Sequence, residues 1–126
     1  MELITIFPKM SVKITQEDID DIMVSALEGG INYWCCKAEV VGDYLGEYAS
    51  EQISRGGTLK LYDAEEDEVY ELNLDKLISG ITKAISEGYF KHYEWYSATE
   101  IDPCNVDAEV ADVIIQLALF DDVIFG

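Results

Sequence analysis

The stretch TLKLYDAEEDEVYELNLDKLISGITKAISEG, residues 58–88, carries the clearest structural pattern in the chain. Apolar and polar residues alternate in Thr58–Tyr62 and again in Glu68–Leu72, which predicts two strands joined by an acidic turn. Asn73 then supplies a helix N-cap, and the apolar spacing becomes that of a helix over Leu74–Glu87. The predicted buried face of this helix consists of Leu74, Leu77, Ile78, Ile81, Ala84 and Ile85. The stretch therefore predicts an antiparallel hairpin with a helix packed on it.

The first thirty residues predict two short strands and a helix. The strands are Leu3–Phe7 and Val12–Ile14, on either side of a proline. Thr15 and Asp18 form a capping box, with Asp in place of the usual Glu, and the glycine pair at 29–30 ends the helix. Its apolar stripe consists of Ile19, Ile22, Met23, Ala26 and Leu27.

The segment between that helix and the hairpin predicts one strand and one short helix. Ile31–Val41 is rich in aromatic and β-branched residues, as a strand requires, and a Gly-Asp turn at 42–43 follows it. Glu47–Arg55 predicts a short helix closed by the glycine pair at 56–57.

The C-terminal third predicts an aromatic segment, a helix and a closing strand. Tyr89–Tyr96 is expected to be a strand or an ordered loop, and Val123–Phe125 a strand. Between Val110 and Phe120 the predicted helix Asp107–Phe120 has only Asp112 and Gln116 as polar residues.

A helix that is apolar on nearly every side is buried on most sides. We therefore expect this helix to contribute to a homo-oligomer interface, the alternative being a central helix wrapped by the sheet of its own chain. The predicted fold is α+β: a single domain, residues 1–126, with a mainly antiparallel sheet, packed helices and a homo-oligomeric assembly.

Composition limits the possible functions. The chain has 26 Asp and Glu against 8 Lys and Arg, for a formal net charge of −18. That charge argues against direct binding of nucleic acid, whose phosphates need basic side chains. It permits a well-solvated surface, or imitation of nucleic acid in the basic groove of another protein. The three cysteines form a poor disulfide framework, and neither a signal peptide nor a membrane span is expected, so the predicted location is the cytoplasm.

Catalytic and metal-binding patterns are weak. A cysteine nucleophile would need the fold to bring Cys35, Cys36 or Cys104 to His92, the one histidine. Zinc would need more ligands at a recognisable spacing, and the acidic segment Asp63–Asp67 lacks the ligand spacing and glycine of a calcium loop. We therefore expect no enzymatic activity, no metal and no cofactor.

Arg55, the only arginine, lies in the sequence Ser-Arg-Gly-Gly-Thr at 54–58. Guanidinium binds phosphate or carboxylate in a bidentate manner, and Gly56 and Gly57 would let backbone N–H groups approach an anion. The alternative is a helix ending at Arg55 with Gly56 as its C-cap, and the two interpretations are compatible.

Aromatic residues occur in two clusters that could stack on a nucleotide base while Arg55 binds its phosphate. The first cluster is Tyr33-Trp34. The second consists of Tyr89, Phe90, Tyr93, Trp95 and Tyr96. The alternative for each ring is a place in the core.

Three stretches carry a resemblance to a known family: Ala26–Cys35, Ser54–Leu59 and Asp107–Asp112 with the Ala-Leu-Phe at 118–120. They resemble small phage and prophage proteins of Gram-positive hosts. Among characterised families the chain is most similar to the phage anti-Thoeris sponge proteins, from about Thr15 to Gly126.

The resemblance implies a non-enzymatic protein that binds cyclic ADP-ribose-type immune signals without cleaving them. It implies a homo-oligomer with pockets near subunit interfaces, acting in the cytoplasm of an infected bacterial cell. Some members also bind cyclic oligonucleotides, for which a single arginine is a departure. The ligand-binding residues carried over, or expected near the family's other contacts, are Arg55, Gly56, Gly57, Thr58, Phe90, His92 and Asp107.

Two rival functions remain open at this point. One is an acidic mimic of nucleic acid that inhibits a host nuclease. The other is a small enzyme acting on a nucleotide through a carboxylate or Cys104. Incubation with candidate cyclic nucleotides, followed by heat release and mass spectrometry, would distinguish the three. A sponge would release its ligand intact, an enzyme would release a product, and a mimic would bind no nucleotide.

Overall fold

The computed structural model describes residues 2–6 and 11–126 and has an α+β fold. Three α-helices and a three-stranded antiparallel sheet make up its regular structure. In chain order the elements are α1 (Gln16–Ser25), β1 (Cys35–Val40), β2 (Leu59–Asp63), β3 (Val69–Leu72), α2 (Leu74–Ser86) and α3 (Ala108–Phe120). Short 3-10 turns occur at Ala49–Glu51, Lys91–Tyr93 and Pro103–Asn105. No helix in the described part of the chain is long and apolar enough to cross a membrane.

The sheet has the strand order β1-β2-β3, and the predicted hairpin is confirmed as β2 and β3. Leu59 lies opposite Leu72, and Leu61 opposite Tyr70, so the alternating apolar residues share one face. That face packs into the core, where both leucines of β2 are fully buried. The other face is turned to solvent.

The helix caps follow the sequence closely. The Thr15 hydroxyl accepts the Asp18 N–H and the Asp18 carboxylate accepts the Thr15 N–H, both at 3.0 Å, which confirms the capping box. Asn73 accepts the Lys76 N–H at 2.9 Å and caps α2 as predicted. After α1 the chain continues through a π-helical turn, Ala26–Gly30, to the predicted glycine pair.

Helix α3 lies at the centre of the molecule. Every residue from Val110 to Leu117 is buried within a single chain. The helix packs mainly against α2 and the π-helical turn, with smaller contacts to α1 and β3. The alternative of a central helix therefore fits better than an oligomer interface on α3, although helices rather than the sheet cover most of it. Homo-oligomerisation remains a prediction, and this helix no longer supports it.

Two glycines allow the close approach that this centre needs. A Cβ on Gly80 of α2 would lie 2.5 Å from the Ile114 carbonyl oxygen and 2.8 Å from the Ala118 Cβ. A Cβ on Gly30 would lie 2.5 Å from the Ala108 carbonyl oxygen. Neither backbone can move away cheaply, so α3 is held between two glycine contacts.

Several predicted elements are wrong or shorter than expected. Residues 3–6 form no strand and are exposed, while Phe7 lies outside the described residues. Val12–Ile14 reduces to one bridge between Lys13 and Glu100. The predicted helix Glu47–Arg55 is a run of tight turns, because the Glu51 and Gln52 N–H groups bond three residues back.

The remaining corrections have local causes. The predicted strand Ile31–Val41 starts only at Cys35, because the Trp34 and Cys35 N–H groups both donate to the Ile31 carbonyl and close a turn. The predicted strand Val123–Phe125 forms no ladder. Its backbone bonds instead to the buried side chain of Gln116.

Candidate functional site

The guanidinium of Arg55 is occupied by carboxylates of its own chain. Nη1 lies 3.7 Å from the Asp20 carboxylate, and Nη2 lies 3.5 Å from that of Glu51. Nη1 also donates to the Glu51 carbonyl at 3.2 Å. The side chain is 30 % exposed, so a ligand phosphate would have to displace two carboxylates to reach it. This geometry weighs against Arg55 as the main anion contact.

The other residues of that loop also have structural roles. Gly56 has φ +87, in the left-handed region that favours glycine, and its N–H donates to the Ile53 carbonyl. The Gly57 N–H donates to the Gln52 carbonyl, and the Gln52 side chain fills the space where a Cβ would be. The Thr58 carbonyl accepts the Val41 N–H at 3.1 Å. Both glycine N–H groups are thus already used, and the geometry fits a turn-closing role.

A cleft of about 670 Å³ opens beside the aromatic segment that follows α2. It lies between the end of α2 and residues 91–98. Its lining consists of Ile85, Ser86, Glu87, Gly88, Lys91, Glu94, Tyr96, Ser97 and Ala98. We call it the 85–98 cleft. Ligand pockets are typically about 300–1,000 Å³, so a nucleotide-sized molecule would fit it.

The backbone beside this cleft is strained. Phe90 has φ 52 and Glu94 has φ 55, both left-handed, and they flank the 3-10 turn Lys91–Tyr93. Among the described residues only Asp121 shares this conformation without being glycine. Each such position is unfavourable for a side-chain-bearing residue, and clusters of them are typical of functional sites.

The aromatic segment divides its side chains between the core, the cleft and the start of α3. Trp95 is fully buried, and its Nε1 donates to the Tyr89 carbonyl at 2.9 Å. Tyr96 lines the 85–98 cleft. The Phe90 and Tyr93 rings have centroids 5.1 Å apart. The segment is therefore the ordered loop that was one of its two predicted states.

His92, Tyr93 and Asp107 meet near the N-terminus of α3. His92 packs edge-on against Tyr93, with centroids 4.5 Å apart. The Tyr93 hydroxyl donates to Glu109 at 3.4 Å. Burial, together with the charges of Glu109 and Asp107, raises the pKa of Tyr93. Asp107 itself is the N-cap of α3, accepting the Val110 N–H at 2.9 Å.

The predicted site residues thus form two groups. Residues 55–58 lie with α1 and the 43–51 loop, whereas Phe90, His92 and Asp107 lie around Tyr93. Within residues 2–6 and 11–126, no hydrogen bond, ion pair or ring contact joins the two groups.

Lys91 is the cleft residue that sequence reasoning missed. It lies in the cleft lining with two carboxylates, Glu87 and Glu94, yet no ion pair engages it within the described chain. The backbone N–H groups of Tyr96 and Ala98 have no acceptor among residues 2–6 and 11–126. The Tyr96 ring, which also lines the cleft, packs edge-on against Trp95 with centroids 4.8 Å apart. The sequence feature that could have identified Lys91 is the position of this lysine within the aromatic segment Tyr89–Tyr96.

The first aromatic cluster belongs to a hydrogen-bonded network around the buried Asp112. Asp112 accepts hydrogen bonds from the Tyr33 hydroxyl at 2.6 Å, Trp34 Nε1 at 2.8 Å and Gln116 Nε2 at 2.9 Å. The Trp34 ring stacks on Phe125, with centroids 4.9 Å apart. Trp34 is therefore a core residue, and the hydrogen bonds around Asp112 have a structural role.

The described residues contain no assembled site for a nucleophile or a metal ion. No cluster of three metal-ligating side chains occurs there. Burial raises the pKa of the Cys35 thiol, which disfavours the thiolate. His92 contacts Tyr93 rather than Cys36 or Cys104. Comparison of the chain with protein families, curated proteins and solved structures found no match.

Proposed function

We propose that this chain is a non-enzymatic binding protein that holds a cyclic ADP-ribose-type nucleotide signal intact in the 85–98 cleft. The observation that carries the proposal is the combination of an open cleft, a strained loop beside it and a lining lysine, Lys91, that has no ion-pair partner within residues 2–6 and 11–126. The protein would act in the cytoplasm of an infected bacterial cell, as the family resemblance implies.

Lys91 would bind the phosphates in this proposal. A charge-assisted hydrogen bond from an ammonium group is about twice as strong as a neutral one. The N–H groups of Tyr96 and Ala98, which have no acceptor within residues 2–6 and 11–126, would supply two further donors, and the Tyr96 ring would offer a stacking surface. Glu87 and Glu94 would accept hydrogen bonds from ribose hydroxyls or a base. This mixed polarity suits a nucleotide better than a simple anion.

The anchoring of the loop supports slow release. Trp95 is fully buried at one end, and the Tyr89 N–H bonds back to the Ala84 carbonyl of α2 at the other. A segment fixed at both ends loses little further entropy when a ligand binds, so preorganisation favours affinity. Sequestration needs only affinity, and neither a nucleophile nor a base takes part in it.

Mimicry of nucleic acid is the second candidate. The net charge of −18 favours it, and residues 64–68, which include four carboxylates, are all exposed at the tip of the hairpin. Such a surface would suit the basic groove of a host nuclease.

Heat release followed by mass spectrometry separates these functions. The protein is incubated with cyclic ADP-ribose isomers and cyclic dinucleotides, washed, denatured by heat, and the supernatant is analysed. We expect one nucleotide to return unchanged in mass and in near-stoichiometric amount. Return of a cleaved product would indicate an enzyme. Return of nothing, with tight binding to a basic nuclease, would favour the mimic.

A further inference from the structure

Strand β1 is an edge strand with an unpaired outer side. The Val41 N–H donates to the Thr58 carbonyl, and the β1–β2 register runs on without a break from residue 40 to residue 37. Hydrogen-bonded positions alternate in an antiparallel pair, so residues 37, 39 and 41 direct their backbone groups towards β2. Those of Ala38 and Val40 point the other way, and no group within residues 2–6 and 11–126 pairs with them.

Exposed apolar residues follow β1 in the chain. Val41, Tyr44, Leu45 and Tyr48 follow directly after β1 and are 41–62 % exposed. An exposed edge with apolar neighbours is a template for pairing with another strand. Natural sheets usually protect such an edge, and here no described residue forms hydrogen bonds with it.

The N-terminal segment has the properties of the missing strand. Leu3, Ile4 and Ile6 are 93 %, 87 % and 77 % exposed, and residues 3–6 carry no charge. Isoleucine and threonine favour strands, yet this segment pairs with no described part of its own chain. Three large apolar side chains so fully exposed are unusual for a stable monomer.

Charge repulsion between two copies of the chain limits which of their surfaces can come into contact. Two molecules of charge −18 repel each other, so contact is cheapest where charge is lowest. The uncharged segment 3–6 is such a place. On the outer face of the sheet, Lys37 of β1 pairs with Glu39 at 3.0 Å, so the charges beside the open edge offset each other.

We propose that residues 3–6 of one copy pair as a strand with the open edge of β1 in a second copy. The exchange is reciprocal, so each chain gives one strand and receives one, which closes a two-fold symmetric dimer. Each three-stranded sheet becomes four-stranded, and the side chains of the donated strand cover the apolar residues at 41–48.

Two variants separate the donor from the acceptor. Ile4→Ser with Ile6→Ser removes the apolar side chains of the donor. Ala38→Pro removes the outward N–H of the acceptor, a position where an edge strand tolerates proline. Ile78→Ser, at an exposed apolar residue of α2, is the matched control.

Sedimentation velocity over a range of concentrations provides the test. We expect the unmodified chain and Ile78→Ser to form dimers, and each of the other variants to weaken the dimer at least tenfold. Mixing the donor variant with the acceptor variant restores one intact contact, so a mixed dimer should form more tightly than either variant alone associates. Circular dichroism and thermal melting check that each variant folds.

Amide hydrogen exchange of the unmodified protein adds a readout that needs no variant. Protection of the Ala38 and Val40 amides that increases with protein concentration supports the pairing of strands between two copies. A concentration-independent monomer, or a dimer unaffected by both variants, overturns the proposal. Protected amides in a monomer overturn it as well, because they place the segment on the edge of its own chain.

Discussion

At the scale of single residues, Gln116 connects the centre of the molecule to its C-terminal tail. Its Oε1 accepts the N–H groups of Ile124 and Phe125, each at 2.8 Å, and its Nε2 donates to Asp112. The side chain is completely buried. A polar residue in an apolar helix therefore replaces the strand that the sequence predicted for the tail.

Replacing Gln116 with Leu should destabilise the protein by about 1–3 kcal/mol. Leucine has a side-chain volume similar to that of glutamine, but it leaves two backbone N–H groups of the tail without an acceptor. Urea unfolding measures the change. Gln16→Leu, at an exposed position of α1, is the control and should alter stability by less than about 0.5 kcal/mol. Equal effects at both positions would contradict this role for Gln116.

Tyr33 should titrate well above an ordinary tyrosine. Burial, together with its hydrogen bond to Asp112, raises its pKa to about 12. The folded state therefore favours the neutral phenol. That stabilisation is complete below the ordinary value of 10.0 and is lost as the pH rises from there towards 12.

Alkaline difference spectroscopy measures this titration. The Tyr70 pKa is also raised to about 12, by burial and by its hydrogen bond to Asp63. We expect two of the eight tyrosines to titrate last, and Tyr33→Phe to remove one of those two. Titration of every tyrosine near pH 10 in the folded protein would count against the network.

The caps and the roles of Arg55 show which residue-scale features can be predicted. Thr15, Asp18 and Asn73 were predictable because their partners lie three residues away. The ion pair of Arg55 with Asp20 was not, because the two residues are 35 positions apart in the chain and only the fold brings them together.

At the scale of elements, α3 shows why an apolar sequence does not reveal its partner. The pattern from Val110 to Phe120 correctly predicted a helix buried on most sides. It could not distinguish burial by a second chain from burial by α2 and the π-helical turn. That choice depends on Gly30 and Gly80, whose missing side chains let the backbones approach.

Gly80→Ala should destabilise the protein by about 1–3 kcal/mol, although alanine favours a helix by about 1 kcal/mol over glycine. The new Cβ would meet the backbone of α3 and push the helices apart. Chemical unfolding measures the result. Ser79→Ala, at the exposed neighbouring position, is the control and should stabilise slightly. A Gly80→Ala protein as stable as the control would show that the helices are less closely packed.

The candidate cleft could be predicted from the sequence only in part. The aromatic segment Tyr89–Tyr96 was expected to line a site, and Lys91, Glu94 and Tyr96 do line the 85–98 cleft. Phe90 and His92 lie around Tyr93 instead. The backbone is left-handed at Phe90 and Glu94, and the amino-acid composition of the segment does not predict this conformation.

At the scale of the whole molecule, the net charge of −18 opposes the approach of any anionic ligand. Association with a nucleotide should therefore become faster as salt is added, because the screening length falls from about 30 Å at 0.01 M to about 10 Å at 0.1 M. Stopped-flow measurement of the association rate checks this. A rate that falls with salt would indicate a locally basic entrance, which the carboxylates beside Lys91 argue against.

We propose that the 85–98 cleft, and not the Arg55 loop, holds the nucleotide. Calorimetric titration of the nucleotide identified by heat release tests it on three variants. Lys91→Gln removes the cation of the cleft, Arg55→Ala removes the guanidinium, and Lys60→Gln removes an equal charge from the outer face of the sheet.

We expect Lys91→Gln to weaken binding by about 10- to 150-fold, equivalent to roughly 1.5–3 kcal/mol for a charge-assisted hydrogen bond. Arg55→Ala and Lys60→Gln should both bind within about threefold of the unmodified protein. The opposite result, in which a folded Arg55→Ala protein loses binding while Lys91→Gln retains it, would rule out the cleft as the site and place the site in the Arg-Gly-Gly-Thr loop.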